Sequence, residues 1–247
     1  MVHQSSRIIV VTGASRGLGF EWVRQFSEST ENFVIAVVRD AKKAQQSETL
    51  SRSNVAIVTA DLSKLETFPV VAAEISRLSG SKVDILINNA GVMVGAGASF
   101  DQGICKSTPG EWDGQYKLNV TSVVFFTIAL LNLLEASKEK KVVNLVSMLG
   151  DLSYTFANPD VHFASYAATK AALTMATARF HNEFENKGFT FIALNPGWVN
   201  TDLAGEGKGT IAPLQPEQSI RQCLGFVYRS DRADGGKFFS LDGKTGL

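Results

Sequence analysis

Short apolar runs rich in β-branched residues alternate along this chain with longer segments of helical period. Such alternation is typical of a parallel β-sheet with helices on both faces, because neighbouring parallel strands need a crossover connection between them. The sequence therefore predicts an α/β fold with a doubly wound parallel sheet. Strands are predicted at residues 7–12, 33–38, 55–59, 83–88, 142–147 and 190–195, with a seventh at 237–241, and helices at 17–29, 41–51, 65–79, 111–139, 165–186 and after Pro216.

Length and composition favour one compact domain. The 247 residues are 45% apolar and 19% charged, and a chain of this size buries about three quarters of its unfolded surface in one core. No repeat or proline-rich linker marks a boundary, so residues 1–247 are predicted to form a single domain. Loops at about 93–108, 148–165 and 198–215 are expected to border a substrate, and the glycine-spaced stretches 95–103 and 205–209 are expected to be mobile.

Charge and cysteine content argue against several classes of protein. The 24 basic and 24 acidic side chains leave no net charge, so the field that would attract a nucleic acid or an anionic membrane surface is missing. Cys105 and Cys223 lie far apart without a Cys-x-x-Cys pair, which argues against disulfides and a metal site and favours a reducing compartment. The apolar stretch 123–134 is shorter than a bilayer span, and no signal segment is recognised at the start. A cytoplasmic protein that binds neither nucleic acid nor membrane is predicted.

A glycine-rich turn follows the first predicted strand and opens the first predicted helix. It reads Thr12-Gly-Ala-Ser-Arg-Gly-Leu-Gly19. Glycines allow the backbone to turn sharply and to approach a phosphate closely, and a helix start offers free N–H groups and the positive end of its dipole. The turn is therefore predicted to bind a dinucleotide pyrophosphate through Gly13, Ser15, Arg16, Gly17, Leu18 and Gly19.

Three motifs resemble those of the short-chain dehydrogenase/reductase family. They are the T-G-x-x-x-G-x-G spacing of the turn, Asp61-Leu62 after the third strand, and Asn88-Asn-Ala-Gly91 at the end of the fourth. With the motifs described below, the resemblance extends from Thr12 to Thr201. It implies a single Rossmann-type domain that binds a nicotinamide dinucleotide, with Asp61 near the adenine ring. Further cofactor contacts are implied for Leu62, Asn89, Ala90 and Gly91.

The end of the second strand distinguishes the two nicotinamide cofactors. An acidic residue there accepts hydrogen bonds from the ribose of NAD, whereas an arginine accommodates the 2′-phosphate of NADP. The residue is Arg39, and Arg16 in the glycine turn is placed to bind the same phosphate, since arginine forms forked bonds to phosphate oxygens. NADP(H) is therefore predicted. Asp40 leaves NAD(H) open, because a shift of one position would bring its carboxylate to the ribose.

Tyr166 and Lys170 are four residues apart in a predicted helix, so they share one face on neighbouring turns. A cation beside a tyrosine favours the phenolate, so the pKa of Tyr166 is expected to lie below its ordinary value near 10. Reduction of a ketone needs a proton donor at oxygen while hydride reaches carbon, and a tuned tyrosine suits that task. Tyr166 is thus the candidate acid.

The family resemblance adds partners to this pair. Ser147 ends the fifth predicted strand where the family has its catalytic serine, and Asn119 matches the asparagine that supports a proton-relay water. The resemblance implies that Tyr166 is the acid/base, that Ser147 orients the carbonyl, and that Lys170 holds the nicotinamide ribose. It also implies that Asn119 and Tyr166 contact the cofactor. The sequence after the sixth strand resembles the family's P-G-x-V-x-T motif, which implies nicotinamide contacts from Pro196, Gly197, Val199 and Thr201.

The interval between the serine and the tyrosine is unusual. Ser147 and Tyr166 are 19 positions apart, more than in many members of the family, which implies an insertion around residues 153–162. Ser153 within it is a second candidate for the catalytic hydroxyl. The insertion is expected to border the substrate pocket. Its aromatic side chains either enclose a bulky or aromatic substrate or pack as an ordinary surface loop: Tyr154, Phe156, His162 and Phe163.

The last third of the chain resembles two branches of the family. Residues 179–187, 191–202 and 236–243 are similar to fungal polyketide ketoreductases, typified by norsolorinic acid ketoreductase, and to C-factor and sniffer-type carbonyl reductases. This likeness implies NADPH-dependent reduction of a ketone or aldehyde, with aromatic or polyketide-like carbonyls included, to an alcohol.

Two other functions and the state of association stay open. The fold also suits a protein that senses NADP(H) or docks a partner, and Asp40 would suit an NAD-dependent alcohol dehydrogenase. The helices predicted at 111–139 and 165–186 are apolar around much of their circumference. The family resemblance implies that they pair across a two-fold axis in a homodimer or homotetramer, although burial between layers would explain them equally well.

Overall fold

A computed structural model describes residues 7–44, 47–95, 103–204 and 212–245. Seven strands, all paired in parallel, form one sheet in the order β3-β2-β1-β4-β5-β6-β7. The predicted α/β fold with a doubly wound, seven-stranded parallel sheet is therefore confirmed. The strands are β1 (Arg7–Thr12), β2 (Asn32–Val38), β3 (Val55–Thr59), β4 (Ile85–Asn88), β5 (Lys141–Leu145), β6 (Thr190–Asn195) and β7 (Phe238–Ser240).

Helices connect the strands on both faces of the sheet. Within the described residues they are α1 (Gly17–Phe26), α2 (Ala41–Ala44), α3 (Phe68–Ser79), α4 (Pro109–Tyr116), α5 (Ser122–Glu135), α6 (Leu152–Ala157), α7 (Ala164–Phe184) and α8 (Pro216–Arg229). The predicted helix 41–51 is wrong in its extent, since residues 47–48 are not helical and a separate 3₁₀ turn forms at Thr49–Ser51. The predicted helix 111–139 is likewise divided, because a π-helical turn at Lys117–Thr121 separates α4 from α5.

The sheet is buried on both faces. Ile9 and Val11 of β1 face one apolar cluster and Ile8 and Val10 face the other, and all four are fully buried. A side chain of this size contributes roughly 1.5–3 kcal/mol when it is fully buried. The strands are continuously apolar because each of their two faces packs in its own core, as expected of a parallel sheet covered on both sides.

The strand order reverses at β1, which is flanked by β2 and by β4. Val11 of β1 pairs with Ala36 of β2 and with Ile87 of β4, so the carboxyl ends of the three strands lie at one edge. In open α/β sheets ligands bind in the crevice at this reversal. The glycine turn and the Asn88-Asn-Ala-Gly91 motif both leave the sheet at this edge.

The helical segment Pro109–Glu135 is long and apolar enough to cross a membrane by length and composition alone. The expectation that this region is too short to span a membrane was based on residues 123–134, which are only part of this segment. The core helix of a soluble protein passes the same test. In the structure Phe126, Leu130 and Leu134 of α5 pack in the core on one face of the sheet.

The residues inserted between β5 and α7 fold into a 3₁₀ turn, Met148–Gly150, followed by α6. The carboxylate of Asp151 begins α6 by accepting hydrogen bonds from the amides of Ser153 at 2.7 Å and Tyr154 at 3.3 Å. Of the loops expected to border a substrate, 148–165 is therefore described in full. Residues 96–102 and 205–211 lie outside the described residues, and with them most of the two glycine-spaced stretches. The single domain over residues 1–247 stays a prediction.

Candidate active site

At two positions in the turn after β1, only a glycine fits. Gly13 has a φ of 66°, and a Cβ there would lie 2.9 Å from the Cα of Ala90. A Cβ at Gly19 would collide with the carbonyl oxygen of Gly13. No side chain caps the start of α1, so its free N–H groups are available to an anion.

Thr12 joins this turn to the end of β4. Its hydroxyl oxygen accepts hydrogen bonds from the backbone amides of Asn89 and Ala90, each at 3.0 Å. The Asn89 side chain in turn donates to the carbonyl oxygen of Thr12 at 2.9 Å. The two predicted cofactor motifs therefore form one rigid edge.

A cavity of about 350 Å³ follows this edge. It is lined by most of the predicted cofactor residues, namely Gly13, Ser15, Arg16, Gly17, Leu18, Gly19, Arg39, Asp61, Leu62, Asn89, Ala90, Gly91 and Thr201. It is also lined by residues that were not predicted, namely Val37, Ala60, Ser63, Val92, Leu118, Asp202 and Leu203. The glycine cradle, the uncapped helix start and the two arginines of the lining fit a nicotinamide dinucleotide.

Arg39 directly follows the last residue of β2. It lines the cavity, whereas Asp40, which is also exposed, is not among the described lining residues. Asp61 accepts hydrogen bonds from the hydroxyl and the amide of Ser63, at 2.8 and 3.0 Å. These bonds, helped by the charges of Lys64 and Arg39, hold the pKa of Asp61 below its ordinary value. This end of the cavity thus presents a carboxylate and an arginine.

Arg16 is the second cation of the cavity. Its Nη1 lies 3.7 Å from Oδ2 of Asp202, and both side chains are about two-thirds exposed. An ion pair this exposed contributes little, so the guanidinium can exchange its partner for a phosphate.

Tyr166 and Lys170 lie on the buried side of α7, with 7% and 4% of their surfaces exposed. The Nζ of Lys170 donates to the carbonyl oxygen of Leu145 at 2.6 Å and lies 5.5 Å from the centre of the Tyr166 ring. Burial raises the pKa of Tyr166 and lowers the pKa of Lys170 to about 8.

The expectation that Lys170 lowers the pKa of Tyr166 is therefore wrong for the protein without cofactor. Burial of the phenol raises its pKa, because the charged phenolate loses water there. The neighbouring ammonium donates instead to the backbone carbonyl of Leu145. Tyr166 is consequently a neutral phenol at physiological pH, which is the protonation state of a proton donor.

Ser147 lies just beyond β5, in a turn that packs tightly on α7. Its Oγ accepts a hydrogen bond from the amide of Leu149 at 3.2 Å. A Cβ at Gly150 would lie 2.8 Å from the carbonyl carbon of Lys170, so the turn touches α7 at the level of the lysine. The other candidate, Ser153, is exposed on α6. The geometry favours Ser147.

Asn119 connects the cavity to the tyrosine helix from within the π-helical turn. Its Oδ1 accepts from the amide of Val92 and its Nδ2 donates to the carbonyl of Val92, both at 2.8 Å. The same Nδ2 donates to Oγ1 of Thr169 on α7 at 3.1 Å. A Cβ at Gly91 would lie 3.3 Å from Oδ1 of Asn119 and 3.8 Å from Nζ of Lys170. Asn119 and Lys170 therefore border the Gly91 end of the cavity.

The segment after β6 contributes one of its four predicted residues to the described cavity lining, and the nicotinamide contacts of the other three stay a prediction. Thr201 lines the cavity, but Pro196, Gly197 and Val199 are not among its described lining residues. Ser219 of α8 donates to the carbonyl of Pro196 at 2.7 Å, and a Cβ at Gly197 would lie 2.8 Å from Cδ1 of Leu214. These residues support the segment that carries Thr201.

The aromatic residues of the insertion differ in burial. Phe163 is buried at the start of α7, while Phe156 of α6 is 82% exposed. Tyr154 and His162 are half-buried. Among the residues described, no group of three or more His, Cys, Asp or Glu is placed to hold a metal ion.

A doubly wound sheet, a glycine cradle at the strand reversal and a buried Tyr166–Lys170 pair beside the cavity define an oxidoreductase of the short-chain class. The chain belongs to the short chain dehydrogenase family, whose model matches residues 7–210. The family predicted from the sequence is thus confirmed.

Several known proteins are similar to this chain in sequence or in fold. The short chain dehydrogenase virK of Hypocrea virens is 33% identical over 199 residues, which cover 78% of this chain and 73% of that protein. The NADPH-bound carbonyl reductase from chicken fatty liver is 27% identical with a TM-score of 0.85, over 97% of this chain and 98% of the other. The carbonyl reductase Sniffer of D. melanogaster, 24% identical over 98% and 99% of the two chains with a TM-score of 0.86, shares the fold.

Proposed function

We propose that the protein reduces a ketone or aldehyde to an alcohol with NADPH. The observation that carries this proposal is the buried Tyr166 beside Lys170, whose Nζ lies near Gly91 of the cavity lining. A phenol whose pKa is raised by burial keeps its proton until the carbonyl oxygen gains negative charge, so it acts as an acid rather than a base.

The proposed chemistry divides between cofactor and protein. A bound nicotinamide supplies hydride to the carbonyl carbon. Tyr166 donates its proton to the carbonyl oxygen, and the hydroxyl of Ser147 orients that oxygen by a hydrogen bond. Lys170, when protonated, stabilises the charge that develops on the phenol oxygen. Asn119 fixes Val92 and Thr169 on either side of the site.

Arg39 and Arg16 support NADPH over NADH as the cofactor. Arg39 lines the cavity where β2 ends, and Arg16 has an exposed guanidinium at the glycine turn. Both can form charge-assisted hydrogen bonds to a 2′-phosphate. The related chicken liver carbonyl reductase was solved with NADPH bound.

The pKa of Lys170 predicts how cofactor use depends on pH. We expect kcat/KM for NADPH to fall as the pH rises through about 8, because the lysine then loses the charge and the proton with which it binds the cofactor. Steady-state rates at limiting NADPH between pH 6 and pH 10 measure this limb. In Lys170→Arg, whose side chain stays charged, the fall should move to higher pH. A wild-type profile that is flat in this range would contradict the prediction.

The function is tested by NADPH consumption with purified protein and a panel of aliphatic, aromatic, quinonoid and polyketide-like carbonyls. We expect turnover with at least one class and slower turnover with NADH. Tight NADPH binding without reduction of any carbonyl would contradict the proposal and favour a protein that senses NADP(H) or docks a partner.

Association and location are part of the proposal. Phe125 and Ile128 on α5 and Met175 on α7 are 51%, 45% and 63% exposed, which supports pairing of these helices in a homodimer or homotetramer.

Cys105 and Cys223 are free thiols, which supports a reducing, cytoplasmic location. The neutral net charge supports a protein that binds neither nucleic acid nor membrane. The partner that we propose is a small carbonyl substrate.

A further inference from the structure

Gln115 of α4 is a buried polar side chain that the proposed chemistry does not use. It is 0% exposed. Its Nε2 donates to Oγ of Ser165 at 2.6 Å, with the carbonyl oxygen of Val94 at 3.5 Å. Its Oε1 has no hydrogen-bond partner among the described residues. Burying an amide costs free energy unless it is hydrogen-bonded, so the bonds that its Nε2 donates are what this side chain contributes. They join α4 to the start of α7.

The hydrogen bond from Gln115 reaches the residue before the candidate acid. Ser165 and Tyr166 lie in the first turn of α7. Phe163 just before it has a φ of 47°, and no side chain caps the helix start. First turns have backbone N–H groups without intrahelical partners and fray more easily than the rest of a helix. The bond to Ser165 ties this vulnerable turn to α4.

A second bond of the same kind lies one turn further along both helices. Asn119 donates to Thr169, and each donor and each acceptor is four residues beyond the first. Asn119 also holds the backbone of Val92, which lines the cavity. Gln115 of α4 and Asn119 of the π-helical turn therefore hold the cavity wall and the first two turns of α7 together.

We propose that Gln115 is a positioning residue for Tyr166, which acts through Ser165 to hold the first turn of α7, and with it the phenol, at a fixed distance from the Gly91–Val92 end of the cavity. The inference rests on the proposed function, in which Tyr166 donates the proton. Proton transfer depends steeply on the donor position, so a loosened turn slows the reaction without weakening the cofactor site.

The first test is Gln115→Met, which keeps the shape of the side chain and removes the donor. We expect kcat to fall by about tenfold and KM for NADPH to stay within about twofold, with a melting temperature lowered no more than in the control described next, because each variant leaves one buried polar group without its partner. The matched control is Thr177→Val. Thr177 is a buried hydroxyl on the same helix, three turns beyond Ser165, that accepts from Asn144 at 2.8 Å. We expect the control to lower the melting temperature and to keep kcat within about twofold.

The second test shows whether Gln115 acts through Ser165. Ser165→Ala, a small change that leaves the backbone intact, should lower kcat as Gln115→Met does, and the double variant should be no slower than either single variant. Both single variants should speed amide hydrogen exchange in residues 164–168. A kcat within about twofold of wild type in Gln115→Met, or single effects that multiply in the double variant, would overturn the proposal.

These outcomes are separable from failure of the proposed function. If Tyr166→Phe abolishes turnover and Gln115→Met does not slow it, only the positioning role of Gln115 is wrong. If Tyr166→Phe retains turnover, the proposed chemistry is wrong and the positioning role with it. Unchanged hydrogen exchange at residues 164–168 in Gln115→Met overturns the positioning role whatever the reaction is.

Discussion

Replacement of Tyr166 by phenylalanine is expected to lower kcat by about 1,000-fold or more, since a positioned general acid contributes about 10²–10⁴-fold. The ring stays in its buried place on α7, so only the hydroxyl is lost. The glycine turn and the two arginines that line the cavity are untouched by this change, so the dissociation constant for NADPH should change by no more than about twofold. Steady-state reduction rates and NADPH fluorescence titration measure the two quantities.

The pattern of loss distinguishes the acid from a merely structural residue. Tyr154, half-buried in the insertion, offers a matched control, because Tyr154→Phe also removes one hydroxyl. We expect it to change kcat far less than Tyr166→Phe. Equal losses in the two variants, or turnover retained in Tyr166→Phe, would assign the proton donor to another group.

Replacement of Arg39 by aspartate is expected to reverse the preference for NADPH over NADH. The change removes charge-assisted hydrogen bonds to the 2′-phosphate, which contribute about 3 kcal/mol together, or about 100-fold in the ratio of kcat/KM values. It also places a carboxylate where the ribose hydroxyls of NADH can donate. Steady-state kinetics with both cofactors measure the ratio.

Arg52 provides the control for a general effect of charge. It is a surface arginine whose Nη1 donates to the backbone carbonyl of Arg24 and to Ser27, away from the cavity lining. Arg52→Asp should leave the cofactor ratio unchanged. An unaltered ratio in Arg39→Asp would show that the 2′-phosphate is bound elsewhere, and a preference for NADH in the wild type would return attention to Asp40.

The strand pattern of the sequence predicts the sheet closely because β-branched runs bounded by turns have few alternatives. β1, β3 and β6 have the predicted bounds. The predicted helix 111–139 corresponds to the helical segment Pro109–Glu135. Its π-helical turn at Lys117–Thr121 was not predicted, since a single wider turn leaves the apolar period almost unchanged. Asn119 lies in that turn, so its two bonds to Val92 follow from a feature that periodicity does not report.

The sequence predicts which residues form the candidate site, but it does not predict their pKa values. The spacing of Tyr166 and Lys170 predicts a cation near a phenol, but burial depends on how the Met148–Gly150 turn packs on α7, which spacing does not contain. The direction of the pKa shift at Tyr166 therefore requires the structure. Gln115 was not predicted for a similar reason, because a single amide in a helix has no motif.

Deuterium transfer is the most direct test of carbonyl reduction by this protein. NADPH deuterated at C4 of the nicotinamide is incubated with the wild-type protein and each carbonyl of the panel, and the alcohol is analysed by mass spectrometry and NMR. We expect deuterium on the carbinol carbon with the wild type and almost none with Tyr166→Phe. Bound NADPH that transfers no deuterium to any carbonyl would contradict the proposed reductase.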